Sequence, residues 1–430
     1  MPAALETLPF HADRDRLFNE LHTRPFPVLA QGTRISQLAV LHDGADAATE
    51  YRHLRSLCDR LALQAPPEGA ACHHLDFGNV ELRWERHTEF STYTMIRQHD
   101  DVAAPFTATA LSLLPPVWLA ALPGKIISGL HVEVQAMPGE IPTADQVRPH
   151  FEDQRLISSW AIDRRARLWT AWRLHRDGLG RILIQNGGLN PCQLGRLVRR
   201  LLELETYRMM VLLAFPIARG IAPDLGGMDV KLASINVEIN AIRGLDDERR
   251  LLGDLSTLAA RIEHLRSETN FRFSATRAYY ELVQDRLAGL REQEESGLQT
   301  FGEFLPRRLA PAFRTSEAVS QQIDDLASRI DRASELLRTR VDLTLEAQNQ
   351  DLLQSMNRRS QTQLQLQQAV EGLSVVAISY YLVGLVKSLA ESLHELGWVA
   401  QPALVAGVAV PVCLLLVWLG VRRLRQSLSG

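Results

Sequence analysis

ALVAGVAVPVCLLLVWLGV, residues 403–421, runs for nineteen positions without a charge, and Arg422, Arg423 and Arg425 follow at once. About 20 apolar residues cross the hydrocarbon core of a bilayer, and basic residues favour its cytoplasmic side. The stretch reads as a transmembrane helix, with Trp418 as interfacial anchor and Pro411 as a tolerated kink. Upstream, GLSVVAISYYLVGLV (372–386) is a second uncharged run. Its fifteen residues are short for a span, but Ala369, Val370 and Leu389 extend it, with Glu371 and Lys387 near the two interfaces. The competing reading lays 372–390 on the membrane surface or in the protein core. The link KSLAESLHELGWVAQP (387–402) holds one lysine, whereas Arg358 and Arg359 precede the first run. The charge asymmetry therefore expects a two-span hairpin with both termini cytoplasmic.

The rest of the chain has ordinary soluble composition. Of 430 residues, 23% are charged and 46% hydrophobic, and the mean hydropathy is -0.09, so a membrane part is a minority of the length. A net charge of -3 gives no bulk attraction to nucleic acid. Four scattered cysteines form no CxxC pair, which excludes a disulfide framework and suits a reducing cytosol. The opening MPAALETLPFHADRDR carries Glu6 and Asp13 and has no signal-peptide core, so the bulk is expected in the cytoplasm.

The soluble region changes character along its length. Pro25 and Pro27 make NELHTRPFP (19–27) part of an extended lead-in. Strand patterns lie at 33–42, in two runs within 72–97, at 131–136, and in a hairpin around the DGLG turn at 177–180. Helical patterns lie at 51–63, 146–155 and 191–214, and the seven-residue apolar run Met209 to Phe215 reads as a buried helix. From about 228 only helical periodicity remains, at 228–267 and 273–303, until Pro306 and Pro311 break the chain. Ser316 then caps a helix that meets neither Pro nor Gly before Gly372, on the order of 80 Å long. Ile323, Leu326, Ile330, Ala333, Leu337, Val341 and Leu345 give it a core-facing or coiled-coil stripe. The expected fold is α+β: an α/β domain with a mixed or antiparallel sheet (1–227), a helical stalk with one very long helix (228–371), a transmembrane hairpin (372–421) and a basic tail (422–430). A helix of that length needs partners, and homo-oligomerisation is the preferred one.

Several blocks carry a resemblance: NELHTRPFP (19–27), LRWERHTEFSTYT (82–94), LLELETYRMM (201–210), ETNFRFSATRAYYELV (268–283) and the segment 337–381. Over nearly its whole length the chain resembles a bacterial family described as predicted membrane-anchored proteins with a domain of unknown function. The resemblance implies an anchor and no assigned activity. The order of parts also resembles CorA-type magnesium transporters, pentamers whose first span lines a pore. Their Gly-Met-Asn signature is replaced here by Val383-Gly384-Leu385-Val386-Lys387, and a lysine at a pore mouth repels cations.

Candidate functional residues fall into three groups. Gln350, Asn357, Leu364, Glu371 and Ile378 are spaced at sevens, so in a parallel oligomer Asn357 and Glu371 form polar rings, with Ser374 and Ser379 near them. The plainer reading is an amide-solvated stalk, with the serines packing helices. Glu85, His87 and Glu89 would share one face of a strand, placing two carboxylates beside an imidazole, with His73, His74 and Asp76 upstream. The plainer reading is an exposed, salt-bridged face. His22 and Arg24 make either a binding element or a lead-in docked on the sheet. No GxSxG, HExxH, P-loop or dinucleotide motif occurs. The expected protein is a non-enzymatic, oligomeric scaffold or regulator on the bacterial inner membrane, with lipid as partner and no cofactor, metal or nucleic acid. A CorA-like channel is the alternative, and an enzyme using the Glu85 face comes third.

Overall fold

A computed structural model describes residues 9–20, 27–98, 104–295, 297–395 and 401–428. After a short helix α1 (Arg14–Glu20) come β1 (Thr33–Leu41), α2 (Ala47–Leu61), β2 (Cys72–Asp76), β3 (Val80–Arg86) and β4 (Phe90–Gln98). There follow α3 (Pro116–Ala120), β5 (Lys125–Ala136), α4 (Ala144–Val147), β6 (Ile157–Ala161), β7 (Ala166–Thr170) and β8 (Gly180–Asn186). Beyond them lie helices α5 (Pro191–Leu212), α6 (Ala214–Asn240), α7 (Leu245–Ala288), α8 (Phe301–Glu395) and α9 (Pro402–Leu428). The fold is α+β, as expected, with one eight-stranded mixed sheet in the order β2-β3-β4-β1-β5-β8-β7-β6. Every pairing is antiparallel except β5 with β8. The chain forms two compact units, Met1–Glu238 with Gly253–Arg332, and Ile239–Leu252 with Ala333–Gly430.

The first unit buries both faces of its sheet. Ile35, Ile96, Val132 and Ile184 pack with Leu194, Leu197, Val198 and Leu201 of α5, in a cluster that also takes in Val283, Leu287, Phe301 and Leu305. Leu38, Val40, Leu82, Tyr93 and Met95 point the other way, toward Leu54 and Leu57 of α2 and Trp118 of α3. Alternation along each strand makes the two faces. At the start of β5 the chain needs glycine: Gly124 has φ +115°, and a Cβ there would lie 2.1 Å from the Leu41 carbonyl oxygen.

The structure redraws several expected boundaries. The region 72–97 holds three strands rather than two, and the expected helix at 146–155 is the short α4 followed by a 3₁₀ turn, Arg148–Phe151. Strand β6 was not expected. The predicted helix over 273–303 stops at Ala288, because the segment after it covers the exposed edge of β6. There the amides of Ser158, Trp160 and Ile162 donate to the carbonyls of Gln299, Gln293 and Leu290. The predicted gap at 268–272 closes into α7, where Thr269 turns its hydroxyl back to the Leu265 carbonyl at 2.7 Å.

Pro306 and Pro311 do not break the chain; α8 starts at Phe301 and runs through both. Its start is capped three ways. Glu292 accepts the amides of Phe301 (3.0 Å) and Gly302 (2.7 Å), and Thr300 and Glu303 exchange side chain–backbone hydrogen bonds. Burial of Phe301, Leu305 and Leu309 outweighs the missing proline N–H groups. Ser316 is no cap: it lies inside the helix and bonds to the Ala312 carbonyl at 3.1 Å.

Within the first unit, ion pairs tie α6, α7 and the start of α8: Arg329 to Asp229 (2.5 Å), Arg261 to Asp224 (3.0 Å) and Arg277 to Glu317 (2.8 Å). Within the second, Arg340 donates to the Ile239 carbonyl at 2.8 Å and Thr344 to Glu248 at 3.2 Å. The stripe on α8 is buried at Ile323, Leu326, Ile330, Ala333 and Leu337, then comes to the surface at Leu345, which is 44% exposed. Among the described residues three helical segments are long and apolar enough to cross a membrane: Pro191–Asn240, Phe301–Leu393 and Ala403–Arg423. The first contains the run Met209 to Phe215, which reads as a buried helix in the sequence; Met210, Val211 and Ala214 of that run are buried.

Candidate functional site

Strand β3 sends Leu82 and Trp84 into the core beside α2, so Arg83 and Glu85 face the α5 side. The strand ends at Arg86, and His87, Thr88 and Glu89 form the turn into β4. The His87 amide donates to the Phe90 carbonyl at 2.8 Å, and its ring stacks on Phe90 with centroids 4.6 Å apart. Its Nε2 stands 3.9 Å from the Glu85 carboxylate. Glu85 and His87 are thus brought together. Glu89 is not with them: the strand's alternation stops at the turn, and Glu89 pairs with Arg272 of α7.

His87, Phe90 and Tyr207 separate two adjoining cavities. One, about 60 Å³, lies between the sheet and α5, with Arg83, Glu85, Thr94, Arg199 and Glu203 in its wall. The other, about 1080 Å³, opens toward α2, where Tyr51, Arg52 and Arg55 line it with Arg86 and Tyr279. Glu203 anchors the α5 side, accepting from Arg199 at 2.8 Å and from Arg286. Burial works against the Arg199 charge, but the bond to Glu203 outweighs it and raises its pKa. Burial, with Glu203 nearby, pushes the Tyr207 phenol up to about 12, and burial with Glu89 raises that of Tyr279. Both phenols therefore stay protonated at neutral pH and act as hydrogen-bond donors. Mixed charge, aromatic walls and protonated phenols suit binding of a polar ligand rather than nucleophilic chemistry.

The other expected positions are dispersed. Asn357 is exposed on α8. Glu371 accepts from Gln367 at 3.3 Å, Ser374 bonds to the Val370 carbonyl at 2.8 Å, and Ser379 is buried. His73 meets the Gln64 carbonyl at 3.1 Å and His74 the Glu81 carboxylate at 2.7 Å. His22 and Arg24 lie outside the described residues. Among the described residues no three His, Cys, Asp or Glu side chains are grouped to hold a metal.

On the opposite face lies a buried polar row that no sequence motif marks. Ser36 Oγ lies 2.8 Å from His131 Nδ1, and the amide of Leu111 donates to Ser36 Oγ at 3.1 Å. His131 Nε2 lies 3.6 Å from Asp177. The order Ser, His, Asp resembles a hydrolase triad, but Ser36 has no exposed surface and its oxygen is already engaged. Burial holds the His131 pKa down to about 4, so the ring is neutral. Beside it Arg34 Nε reaches both oxygens of Glu133, at 3.0 and 3.1 Å, with both side chains 2% exposed. These residues come from four distant segments, so no local motif marks them. The row is structural.

Fold and site together define an α+β protein with a ligand-sized cleft at one end of its sheet and long apolar helices at the C-terminal end of the chain. The chain belongs to the DUF3422 family, proteins of unknown function, whose family model matches residues 9–428. Comparison with curated proteins finds no match.

Proposed function

We propose that the chain is a membrane-anchored, non-enzymatic scaffold or regulator, held in a bacterial inner membrane by the end of α8 and by α9. The reading places both termini in the cytoplasm and the 387–402 link outside. One observation carries it: Leu373, Val376, Tyr380 and Leu385 on α8 and Leu404, Val408 and Leu415 on α9 are 59–77% exposed. Continuous apolar surface of this kind is unfavourable in water and is solvated by lipid. Arg358 and Arg359 before it and Arg422 and Arg423 after it favour the cytoplasmic side at both ends. Exposed Leu343, Leu352, Leu353, Met356 and Leu366 along α8 support self-association of the stalk. The test compares a reporter fused after Gly430 with one inserted in the 387–402 link. Cytoplasmic and external signals respectively are expected; two cytoplasmic signals refute the hairpin.

A CorA-like channel is the second reading, favoured by one uninterrupted helix leading into the first apolar run. Against it stand the missing Gly-Met-Asn and Lys387 at the end of that run. Ion flux into liposomes, reduced by Glu371→Gln, is its required result; a monomeric protein in detergent removes it.

A further inference from the structure

The first unit holds a further cavity, of about 440 Å³, at the junction of β6, the end of β7, the C-terminal end of α5 and the start of α8. Its size is that of a small-molecule site. Four arginines line it, Arg155, Arg173, Arg208 and Arg308, and among its described lining residues none is acidic. Arg208 is neutralised by Glu205, which it meets at 2.6 and 2.5 Å. Arg155, Arg173 and Arg308 have no carboxylate partner among the described residues. Three guanidinium groups without a carboxylate partner, set around one concavity, make it attractive to an anion.

The wall between them is aromatic. Trp172 and Phe304 face each other with planes 13° apart and centroids at 6.5 Å, and Arg208 lies over the Trp172 ring at 5.0 Å. Trp172 is held at φ +49°, a conformation that L residues rarely adopt. Its indole N–H is buried and has no acceptor among the described residues. Leu212, Leu305 and Leu309 complete an apolar floor.

We propose that this cavity binds a small phosphate ester carrying a flat ring, of the nucleoside polyphosphate class. A guanidinium carries five N–H donors, so three of them exceed what a single carboxylate can accept, whereas a di- or triphosphate has oxygens enough. The aromatic pair Trp172 and Phe304 supplies the ring's contacts. This inference does not depend on the membrane reading.

The test is calorimetric titration of the full-length, detergent-purified chain with ATP, tripolyphosphate and adenosine at 0.15 M salt. ATP is expected to bind saturably and at least tenfold more tightly than either fragment. Arg173→Ala/Arg308→Ala, both exposed positions, is expected to weaken ATP at least tenfold with an unchanged circular dichroism spectrum, while Arg314→Ala, outside the cavity, leaves binding intact. Absence of saturable ATP binding overturns the proposal, as does binding unaffected by the double substitution. Tripolyphosphate binding as tightly as ATP refutes the role of the ring, and adenosine binding as tightly refutes that of the arginines.

Discussion

The buried pair Arg34–Glu133 is the point where one atom's change should be felt across the centre of the sheet. Glu133→Gln keeps the shape of the side chain but removes its charge, leaving a guanidinium enclosed with no counter-ion. Both side chains are 2% exposed, so water cannot substitute. Among the described residues Arg34 Nη2 already lacks a partner, and Glu133 also accepts the Phe106 amide at 3.4 Å. Breaking a buried pair from one side costs about 3–5 kcal/mol, whereas replacing both members by apolar groups is often neutral or stabilising. A loss of 3 kcal/mol speeds exchange through opening of the sheet by roughly 150-fold. Hydrogen exchange on the amides of β1 and β5 reads this change without assuming that the two units unfold together. Arg34→Met/Glu133→Leu should then recover most of the protection. The reasoning fails if Glu133→Gln accelerates exchange less than about fivefold, equivalent to roughly 1 kcal/mol, or if the double substitution is no better.

Three further outcomes follow from named residues. His131 is held near pKa 4 by burial, and so is His53, stacked on Trp118. The unfolded chain takes up these protons first, near pH 6.5, so stability is full above that pH and is lost as pH falls toward 4. For His131 the gap corresponds to on the order of 3 kcal/mol, read by denaturation at pH 7.5 against 4.5, with His131→Asn flattening the slope. Leu415→Arg places a charge within the second apolar run and should cost about 2.5–3.5 kcal/mol of insertion, shifting the chain from the membrane to the alkali-soluble fraction. Trp169→Ala empties a fully buried site whose indole N–H reaches Gln185 at 2.9 Å, at a cost of about 3–5 kcal/mol in the melting of the sheet-bearing unit.

What was legible in the sequence was periodicity, and what was hidden was compensation at a distance. Strand β1 and the turn into β8 announced themselves through alternation and DGLG. Strand β6, Ile-Ser-Ser-Trp-Ala, is buried at all five positions, so it shows no alternation to read. The segment after Ala288 that covers its edge reads as helix in the sequence, since an edge-covering strap has no period of its own. Pro306 and Pro311 read as breakers because local chemistry says so; the cap from Glu292 and the burial of Phe301 come from contacts that no local window contains. At the site, Glu85 and His87 were visible as a polar cluster on a strand, but the assignment of Glu89 to their face assumed that the strand continued past Arg86.

The same distinction explains why the arginine cavity escaped a reading by motif. Arg155 precedes β6, Arg173 follows β7, Arg208 lies four residues before the end of α5 and Arg308 in the second turn of α8, and in the sequence each is an unremarkable surface charge. Only the fold turns four separate cations into one enclosure, and only there does the absence of an acid among them acquire a consequence. In the small cavity between the sheet and α5, by contrast, Glu85 and Glu203 stand against Arg83 and Arg199, while the larger one beside His87 sets Glu68 against Arg52, Arg55 and Arg86. Of these cavities, the arginine cavity is the one whose described wall holds no acid to set against its cations. A titration that finds the anion at the His87 cleft instead would show that cavity shape outweighs uncompensated charge in this protein.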